Sequence, residues 1–320
     1  MRLGVLDIGS NTVHLLLVDA HPGARPIPFT SHKQPLQLIQ FLDDDGSISD
    51  AGQRKLIEFV GEAATLAREH QAEDMMAFAT SAIREARNGP AVLERVLAET
   101  GTQLIELSGT DEAAATFLAV RRWYGWASGA ILNLDIGGGS FELAMGANEQ
   151  PELALSVPLG AGRLTRDFLH EDPPTAKSIK AARKHIRAVL DDPIAEIQRL
   201  GAPTIVSGTS KSFSSLARLA GSAPRADGPY VRRELRLHDL ALWAGRLSAM
   251  ASDDRSELPG VSAVRSRQLL AAALVAQTAM EGLGVESVQI CPWALREGLL
   301  LRRFDHLTAT HHAAGATPRG

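Results

Sequence analysis

The residues best suited to chemistry lie in one short stretch, residues 133–143, with the sequence Asn-Leu-Asp-Ile-Gly-Gly-Gly-Ser-Phe-Glu-Leu. Two acids, Asp135 and Glu142, flank three glycines and a serine. Carboxylate oxygens bind hard divalent cations, and glycines with positive φ allow backbone N–H groups to approach an anion such as phosphate. We therefore predict that Asp135 and Glu142 bind a metal ion, although an ordinary glycine-rich hairpin has the same composition. The predicted phosphate-binding turn consists of Gly137, Gly138, Gly139 and Ser140.

Hydrophobic residues on both sides of this turn predict the elements that position it. Residues 129–134 form a largely apolar run that is typical of a buried strand. Residues 141–145 alternate in polarity and predict a strand that returns beside the first one. The two acids would then lie next to the tip of a β-hairpin.

The same pattern occurs 128 residues earlier, in residues 5–15 with the sequence Val-Leu-Asp-Ile-Gly-Ser-Asn-Thr-Val-His-Leu. An internal repeat of this kind indicates a duplicated domain. We predict an α/β fold of two ribonuclease-H-like domains, as in actin-like ATPases, with the two hairpins facing each other across an interdomain cleft. Asp7 corresponds to Asp135 and is a third candidate metal ligand. The second predicted phosphate-binding turn consists of Asp7, Gly9, Ser10, Asn11 and Thr12.

Two further segments supply candidate anion ligands. Arg84 follows a short predicted strand, at the edge where open α/β sheets bind their ligands, and its guanidinium suits a bidentate contact with phosphate. Gly208, Thr209 and Lys211 lie where a predicted strand turns into a helix, and free N–H groups at a helix N-terminus attract anions. The alternative for Arg84 is a surface arginine paired with a neighbouring acid. The alternative for the second segment is a purely structural turn.

A predicted helix over residues 175–200 has an apolar face and an opposite basic face. A basic face of this kind is usually only solvated, and its other interpretation is a surface that guides a polyanion. The basic residues are Lys177, Lys180, Lys184 and Arg187.

The composition excludes several classes of protein. The chain has 320 residues, of which 45% are hydrophobic and 22% charged, as expected for a globular protein of two domains. A net charge of −4 argues against a nucleic-acid-binding surface, and no apolar run is long enough to span a membrane. With no signal peptide pattern and a single cysteine, Cys291, the sequence predicts a cytoplasmic protein. The predicted domains are residues 1–124 and 125–307, followed by a disordered tail, 308–320.

Five segments, in this order and spacing, resemble the Ppx/GppA family of exopolyphosphatases and guanosine pentaphosphate phosphohydrolases. From composition alone, Asp111 and Glu112 would be acids that interact with a helix dipole. The resemblance implies instead that Glu112 activates the attacking water, and that Asp111 caps the helix. The second catalytic residue is Arg84, which would neutralise the phosphoryl oxygens. It also implies that Arg163 lies near a bound anion. The chain departs from the family where Asp111 replaces the first of two adjacent glutamates. The segments are residues 7–12, 79–86, 107–113, 135–143 and 295–300.

The resemblance implies hydrolysis of terminal phosphate from inorganic polyphosphate, with Mg²⁺ or Mn²⁺ as cofactor and a homodimer as the assembly. Removal of the 5′-phosphate of guanosine pentaphosphate is the alternative within the family. Outside this class, an actin-like ATPase, a sugar kinase or a non-catalytic protein that binds guanosine tetraphosphate would also suit the repeat. Longer family members carry extra helical domains after the segment matching residues 295–300, so we expect short or medium polyphosphate to be preferred here and released often.

Overall fold

The computed structural model describes residues 1–21 and 27–315, with side chains as far as residue 307. The chain forms two units, one comprising Met1–Leu107 together with the segment that begins at Leu295, and the other Ser108–Ala294.

The first unit is built on a five-stranded sheet with the order β3-β2-β1-β4-β5. Strands β1, β2 and β3 are antiparallel neighbours, whereas β4 and β5 run parallel to β1. The strands are β1 (Arg2–Ile8), β2 (Val13–Asp19), β3 (Ile27–Gln34), β4 (Asp74–Ala79) and β5 (Leu104–Glu106). The helices are α1 (Asp50–Glu69), α2 (Ser81–Arg84) and α3 (Gly89–Thr100).

The second unit is built on a six-stranded sheet with the order β10-β11-β9-β6-β7-β8. Its strands are β6 (Ile131–Ile136), β7 (Phe141–Gly146), β8 (Leu153–Val157), β9 (Ile205–Gly208), β10 (Glu234–Arg236) and β11 (Ser287–Ile290). Its helices are α4 (Gly109–Tyr124), α5 (Ala161–Phe168), α6 (Ala176–Arg199), α7 (Lys211–Leu219), α8 (Leu237–Ser248), α9 (Ser252–Ser256), α10 (Ala263–Ser266) and α11 (Leu269–Leu283). The chain then returns to the first unit with α12 (Leu295–Gly315), which packs on β1.

The two sheets have the same topology. Strands β1 to β5 of the first correspond in order and direction to β6, β7, β8, β9 and β11 of the second. The hairpins also match in register, since Asp7 pairs with His14 in one and Asp135 pairs with Glu142 in the other. The predicted duplication of a ribonuclease-H-like domain is therefore confirmed. His14 occupies the place that Glu142 has in the second unit.

The observed division differs from the predicted boundary at residue 124. Helix α4 packs on β7 and β8, so it belongs to the second unit, whereas α12 belongs to the first. Sequence order does not reveal such exchanges, because they depend on which sheet a helix covers. The tail predicted to be disordered from residue 308 is helical as far as Gly315, since α12 continues through it. Residues 316–320 lie outside the described residues.

Amphipathic patterning explains how the long helices pack. The predicted basic face of α6 lies in solvent, while Ala182, Ile186 and Leu190 are buried in the core of the second unit. Within residues 1–21 and 27–315, the structure contains no helix long and apolar enough to cross a membrane.

Candidate active site

Two carboxylates are paired at the hairpin of the second unit, and a third lies within electrostatic range of them. Asp135 and Glu142 are direct partners across β6 and β7, so their side chains lie on the same face of the sheet. Glu112 is in the first turn of α4. Burial raises the pKa of Glu142 well above its usual range, and the negative charges of Glu112 and then Asp135 add to this increase. The hairpin therefore concentrates negative charge that a cation would neutralise.

Hydroxyl groups hold the Glu142 carboxylate in place. Ser156 Oγ on β8 donates to Glu142 Oε1 at 2.8 Å, and Ser140 also hydrogen-bonds to this carboxylate. Only 3% of Glu142 is exposed. Ser140, predicted to bind phosphate, thus serves with its side chain to orient an acid.

The donor set fits a magnesium-like ion better than a metal enclosed by protein ligands. Within the described part of the chain, no three His, Cys, Asp or Glu side chains are grouped so that they could hold a metal ion. Mg²⁺ is commonly bound by one or two carboxylates and completes its octahedral shell with water and substrate phosphate. Asp135 and Glu142 supply such a pair of carboxylates. A zinc site of four protein ligands does not fit these residues.

The glycine turn of residues 137–139 is held by the N-terminal end of α5. Ala161 N donates to Gly137 O at 3.0 Å, and Arg163 N donates to Gly138 O at 3.0 Å. Gly139 O accepts from Gly160 N at 3.2 Å and from Arg163 Nε at 2.9 Å. All three carbonyl groups of the turn are therefore directed toward α5. Arg163, expected near a bound anion, supports the turn through its side chain.

This anchoring determines where the amide groups of the turn point. A trans peptide is planar, so its N–H and C=O point in opposite directions. Because the carbonyls face α5, the N–H groups of Gly138, Gly139 and Ser140 point away from that helix. Adjacent N–H groups pointing in one direction form an anion-binding concavity. The sequence predicted positive φ as the reason for these glycines. That explanation is wrong at Gly137, whose φ lies outside the left-handed region. An added Cβ there would lie 3.2 Å from Ser140 O, so glycine permits a close backbone approach.

Substituting Gly160 with alanine is expected to damage the turn more than the fold. An added Cβ would lie 2.3 Å from Gly139 C and 2.5 Å from Gly138 C, which are backbone atoms that cannot rotate away. Since misplacing a binding group by about 1 Å can cost up to about 100-fold in rate, we expect kcat of phosphate release to fall by 10- to 100-fold. Gly245→Ala on the exposed face of α8 is the control, because nothing lies within 4 Å of its Cβ. Equal kcat values for the two variants would contradict this prediction.

The turn between β9 and α7 is arranged differently from the prediction. Gly208 is buried, and an added Cβ would lie 2.8 Å from both Phe213 and Val288, so this glycine allows close packing. The Thr209 hydroxyl donates to Asp135 Oδ2 at 2.6 Å. Lys211 is exposed at the first position of α7. Of these three predicted phosphate ligands, only Lys211 is an exposed residue.

Arg265 on α10 was not expected from the sequence. Burial lowers the pKa of its guanidinium, and the charge of Asp135 opposes that shift, so the two groups lie within electrostatic range. Arg265 and Lys211 also line one small recess. Although Lys211 is exposed as a residue, partial burial of its amine lowers the pKa of that amine, and the charges of Arg225 and Arg265 lower it further. The structure thus places two cations near the acidic hairpin. No sequence motif indicates Arg265, which lies 130 residues from Asp135.

In the first unit, Asp7 has a basic partner that the sequence did not reveal. Arg296 at the start of α12 has Nη1 3.9 Å from Asp7 Oδ2, and it also hydrogen-bonds to His14 Nδ1. Burial raises the pKa of Asp7. The positive charges of Arg296 and Lys33 oppose this increase, and the negative charge of Glu297 adds to it. The Arg296 guanidinium already supplies positive charge to Asp7, which weakens the case for Asp7 as a metal ligand.

The remaining predicted residues of the first unit surround the same hairpin. Gly9 N donates to Thr12 O at 3.0 Å, as Gly137 N does to Ser140 O at 2.9 Å. Ser10 and Asn11 are buried, and the Ser10 hydroxyl is 2.9 Å from that of Ser81. The Ser10 side chain therefore stabilises the turn by its bond to Ser81, and neither Ser10 nor Asn11 exposes much of its side chain.

Arg84, at the end of α2, is half-buried. Its Nη1 donates to Leu107 O at 2.7 Å. A guanidinium carries five N–H donors, so this bond orients the group and leaves the predicted phosphate contact chemically feasible.

Two ribonuclease-H-like units, each with a glycine turn beside an acid, define a protein of the actin-like ATPase fold class. A model of the Ppx/GppA phosphatase family matches residues 17–307, so the chain belongs to the Ppx/GppA phosphatase family, as the sequence motifs predicted.

Individual relatives agree with this assignment. Exopolyphosphatase 1 of Mycobacterium tuberculosis is 52% identical over 305 residues, which are 95% of this chain and 89% of the relative. The guanosine-5′-triphosphate,3′-diphosphate pyrophosphatase of Aeromonas hydrophila is 27% identical over 92% of this chain and 58% of its own. The crystal structure of an exopolyphosphatase from Cytophaga hutchinsonii has the same fold, with a TM-score of 0.86 at 23% identity, covering 96% of this chain and 98% of that one.

Proposed function

We propose that this protein is an exopolyphosphatase that hydrolyses terminal phosphate from inorganic polyphosphate with a divalent cation. The observation that carries the proposal is the Asp135–Glu142 pair beside a turn whose N–H groups point away from α5. One hairpin thereby combines groups for a cation with groups for an anion, and phosphoryl transfer is catalysed mainly by positioning and charge stabilisation. The identity to the mycobacterial Exopolyphosphatase 1 supports polyphosphate as the substrate.

Each group has a proposed role in the reaction. Glu112 orients the attacking water and accepts its proton. Arg84, Lys211 and Arg265 contact phosphoryl oxygens and offset their charge. Asp135 and Glu142 would hold Mg²⁺ or Mn²⁺, which when bound stabilises negative charge on the transferred group. No covalent intermediate is required.

The proposal is tested by measuring phosphate release from polyphosphate, guanosine pentaphosphate and ATP side by side, with and without Mg²⁺. We expect polyphosphate to have the highest kcat/KM and activity to be lost in excess chelator. Guanosine pentaphosphate as the best substrate would favour the pyrophosphatase activity named for the Aeromonas relative. ATP as the best substrate, or no hydrolysis at all, would overturn the proposal.

The basic face of α6 gives a prediction about chain length. Lys180 and Lys184 are exposed on that face. If this face contacts polyphosphate, the double variant Lys180→Glu with Lys184→Glu should raise KM for long polyphosphate several-fold and leave KM for tripolyphosphate unchanged. The effect should be measured at low salt, because salt screens contacts between exposed charges. The control is Lys55→Glu with Arg68→Glu on exposed positions of α1, which makes the same change in net charge.

Product lengths from a homogeneous long chain are measured over time at two ionic strengths. For the wild type we expect intermediate lengths to accumulate, because an enzyme that releases the polymer between cleavages leaves partly shortened chains. Only full-length chains and free phosphate would indicate processive action, and equal KM values for the two double variants would show that the face is merely solvated.

The proposal includes a homodimer and a cytoplasmic location. The dimer is carried over from the family resemblance, and sedimentation velocity of the full chain tests it. The single cysteine, Cys291, is buried and fits a reducing compartment.

A further inference from the structure

The hydroxyl of Thr209 is bonded directly to one of the proposed metal ligands. Thr209 follows β9 and is only 4% exposed. Its Oγ1 lies 2.6 Å from Asp135 Oδ2 and 3.5 Å from Leu134 O. A hydroxyl has a single proton to donate, and 2.6 Å is typical of an O–H bond to an ionised carboxylate. The proton of Thr209 is therefore donated to Asp135.

Asn133 fixes the direction of that hydroxyl. It lies two residues before Asp135 on β6, so both side chains are on the same face of the sheet. Asn133 Nδ2 is 3.4 Å from Thr209 Oγ1, and because an amide nitrogen can only donate, Oγ1 is the acceptor. The three residues form a chain in which Asn133 donates to Thr209 and Thr209 donates to Asp135.

Burying Asn133 is costly, which argues for a role beyond packing. The side chain is 1% exposed, and its Oδ1 has no hydrogen-bond partner among the described residues. A buried acceptor without a hydrogen-bond partner destabilises the fold, and an apolar residue would avoid that loss. What Asn133 supplies in return is its amide donor to Thr209.

The backbone of Thr209 is also tied to β6, since Thr209 N donates to Leu134 O at 3.1 Å. With its main chain held beside Asp135 and its hydroxyl donated to that carboxylate, the side chain is not oriented toward an external phosphate. This geometry differs from the phosphate-binding role expected from the sequence.

We infer that Thr209 is a positioning residue, which holds the Asp135 carboxylate in the orientation that binds the divalent cation. The inference rests on the proposed function, because it takes Asp135 to be a metal ligand. Removing a hydrogen-bond partner of a ligating group typically weakens metal binding by about 10- to 100-fold. An effect of that size is measurable without turnover.

The test compares Thr209→Val, which keeps the shape but removes the hydroxyl, with Thr209→Ser, which restores the hydroxyl. Thr278→Val on α11 is the matched control, because Thr278 is also 4% exposed and its Oγ1 donates to Leu274 O at 2.8 Å. Binding of Mn²⁺ is followed by electron paramagnetic resonance in the absence of polyphosphate. We expect Thr209→Val to bind Mn²⁺ about 10- to 100-fold more weakly, and Thr209→Ser and Thr278→Val to remain close to wild type.

Unchanged Mn²⁺ affinity in Thr209→Val would overturn the inference, and so would an equal loss in Thr209→Ser, since the hydroxyl would then not be the cause. Either result is compatible with the proposed exopolyphosphatase function, provided that the wild type binds Mn²⁺ and releases phosphate from polyphosphate. A wild-type protein that binds no Mn²⁺ would overturn the metal role itself, and the inference with it.

Discussion

Replacing Glu112 with glutamine is expected to lower kcat for phosphate release from polyphosphate by about 10²- to 10⁴-fold, with little change in substrate binding. Glutamine keeps the size of the side chain but cannot accept a proton from water. Glu112 lies in the first turn of α4, and its charge acts on Glu142, so it faces the acidic hairpin. Single-turnover kinetics measures the chemical step, and a binding titration with polyphosphate measures affinity separately.

Asp111→Asn is the matched control, because this neighbouring acid has a different structural role. Asp111 is exposed, its Oδ2 accepts from Ser108 Oγ at 2.6 Å, and its N–H donates to the same hydroxyl at 3.0 Å. It therefore belongs to the cap of α4, and Asp111→Asn should cost some stability and little activity. If both variants lose activity equally, the assignment of Glu112 as the base is wrong.

Glu142→Gln is expected to raise the Mg²⁺ concentration needed for half-maximal activity by more than about 100-fold, since losing a ligand costs more than losing a hydrogen-bond partner of a ligand. In excess chelator the same variant should have a higher Tm than wild type. The reason is that Glu142 is buried beside Glu112 and Asp135, whose charges disfavour its ionised form. Glutamine removes that charge and can still accept from Ser156.

These opposite effects distinguish a metal ligand from a structural acid. A structural acid would lose stability on substitution and leave the Mg²⁺ requirement unchanged. Isothermal calorimetry with Mg²⁺ and thermal unfolding with and without chelator provide the two measurements. Wild-type activity that persists in excess chelator would remove the metal from the mechanism.

Local patterns were sufficient to predict much of the fold. The match between residues 5–15 and 133–143 predicted two domains of one type, and both hairpins have the same register and the same Gly-to-Ser or Gly-to-Thr backbone bond. Apolar periodicity likewise predicted helix 175–200, observed as Ala176–Arg199. These features depend on residues close together in the chain, where strand alternation and helical spacing constrain the backbone directly.

The membership of each unit was less predictable. Helix α12 returns to pack on β1 after the whole second unit has intervened, and α4 joins the second sheet although it precedes the predicted boundary. The sheet that a helix covers is decided by tertiary packing of its apolar face, which the spacing of residues within the helix does not specify.

The sequence by itself determined the family, the repeated glycine turns and the acids Asp7, Glu112, Asp135 and Glu142 as candidates, because these are fixed by residue type and short spacing. Only the tertiary structure decided which groups meet. Thr209 reaches Asp135 and Arg296 reaches Asp7 across long stretches of chain, and Gly160 supports the turn at Gly139. The physical reason is that parallel strands and their connecting helices bring distant residues to one edge of a sheet, where burial and hydrogen-bond geometry assign each polar group its partner.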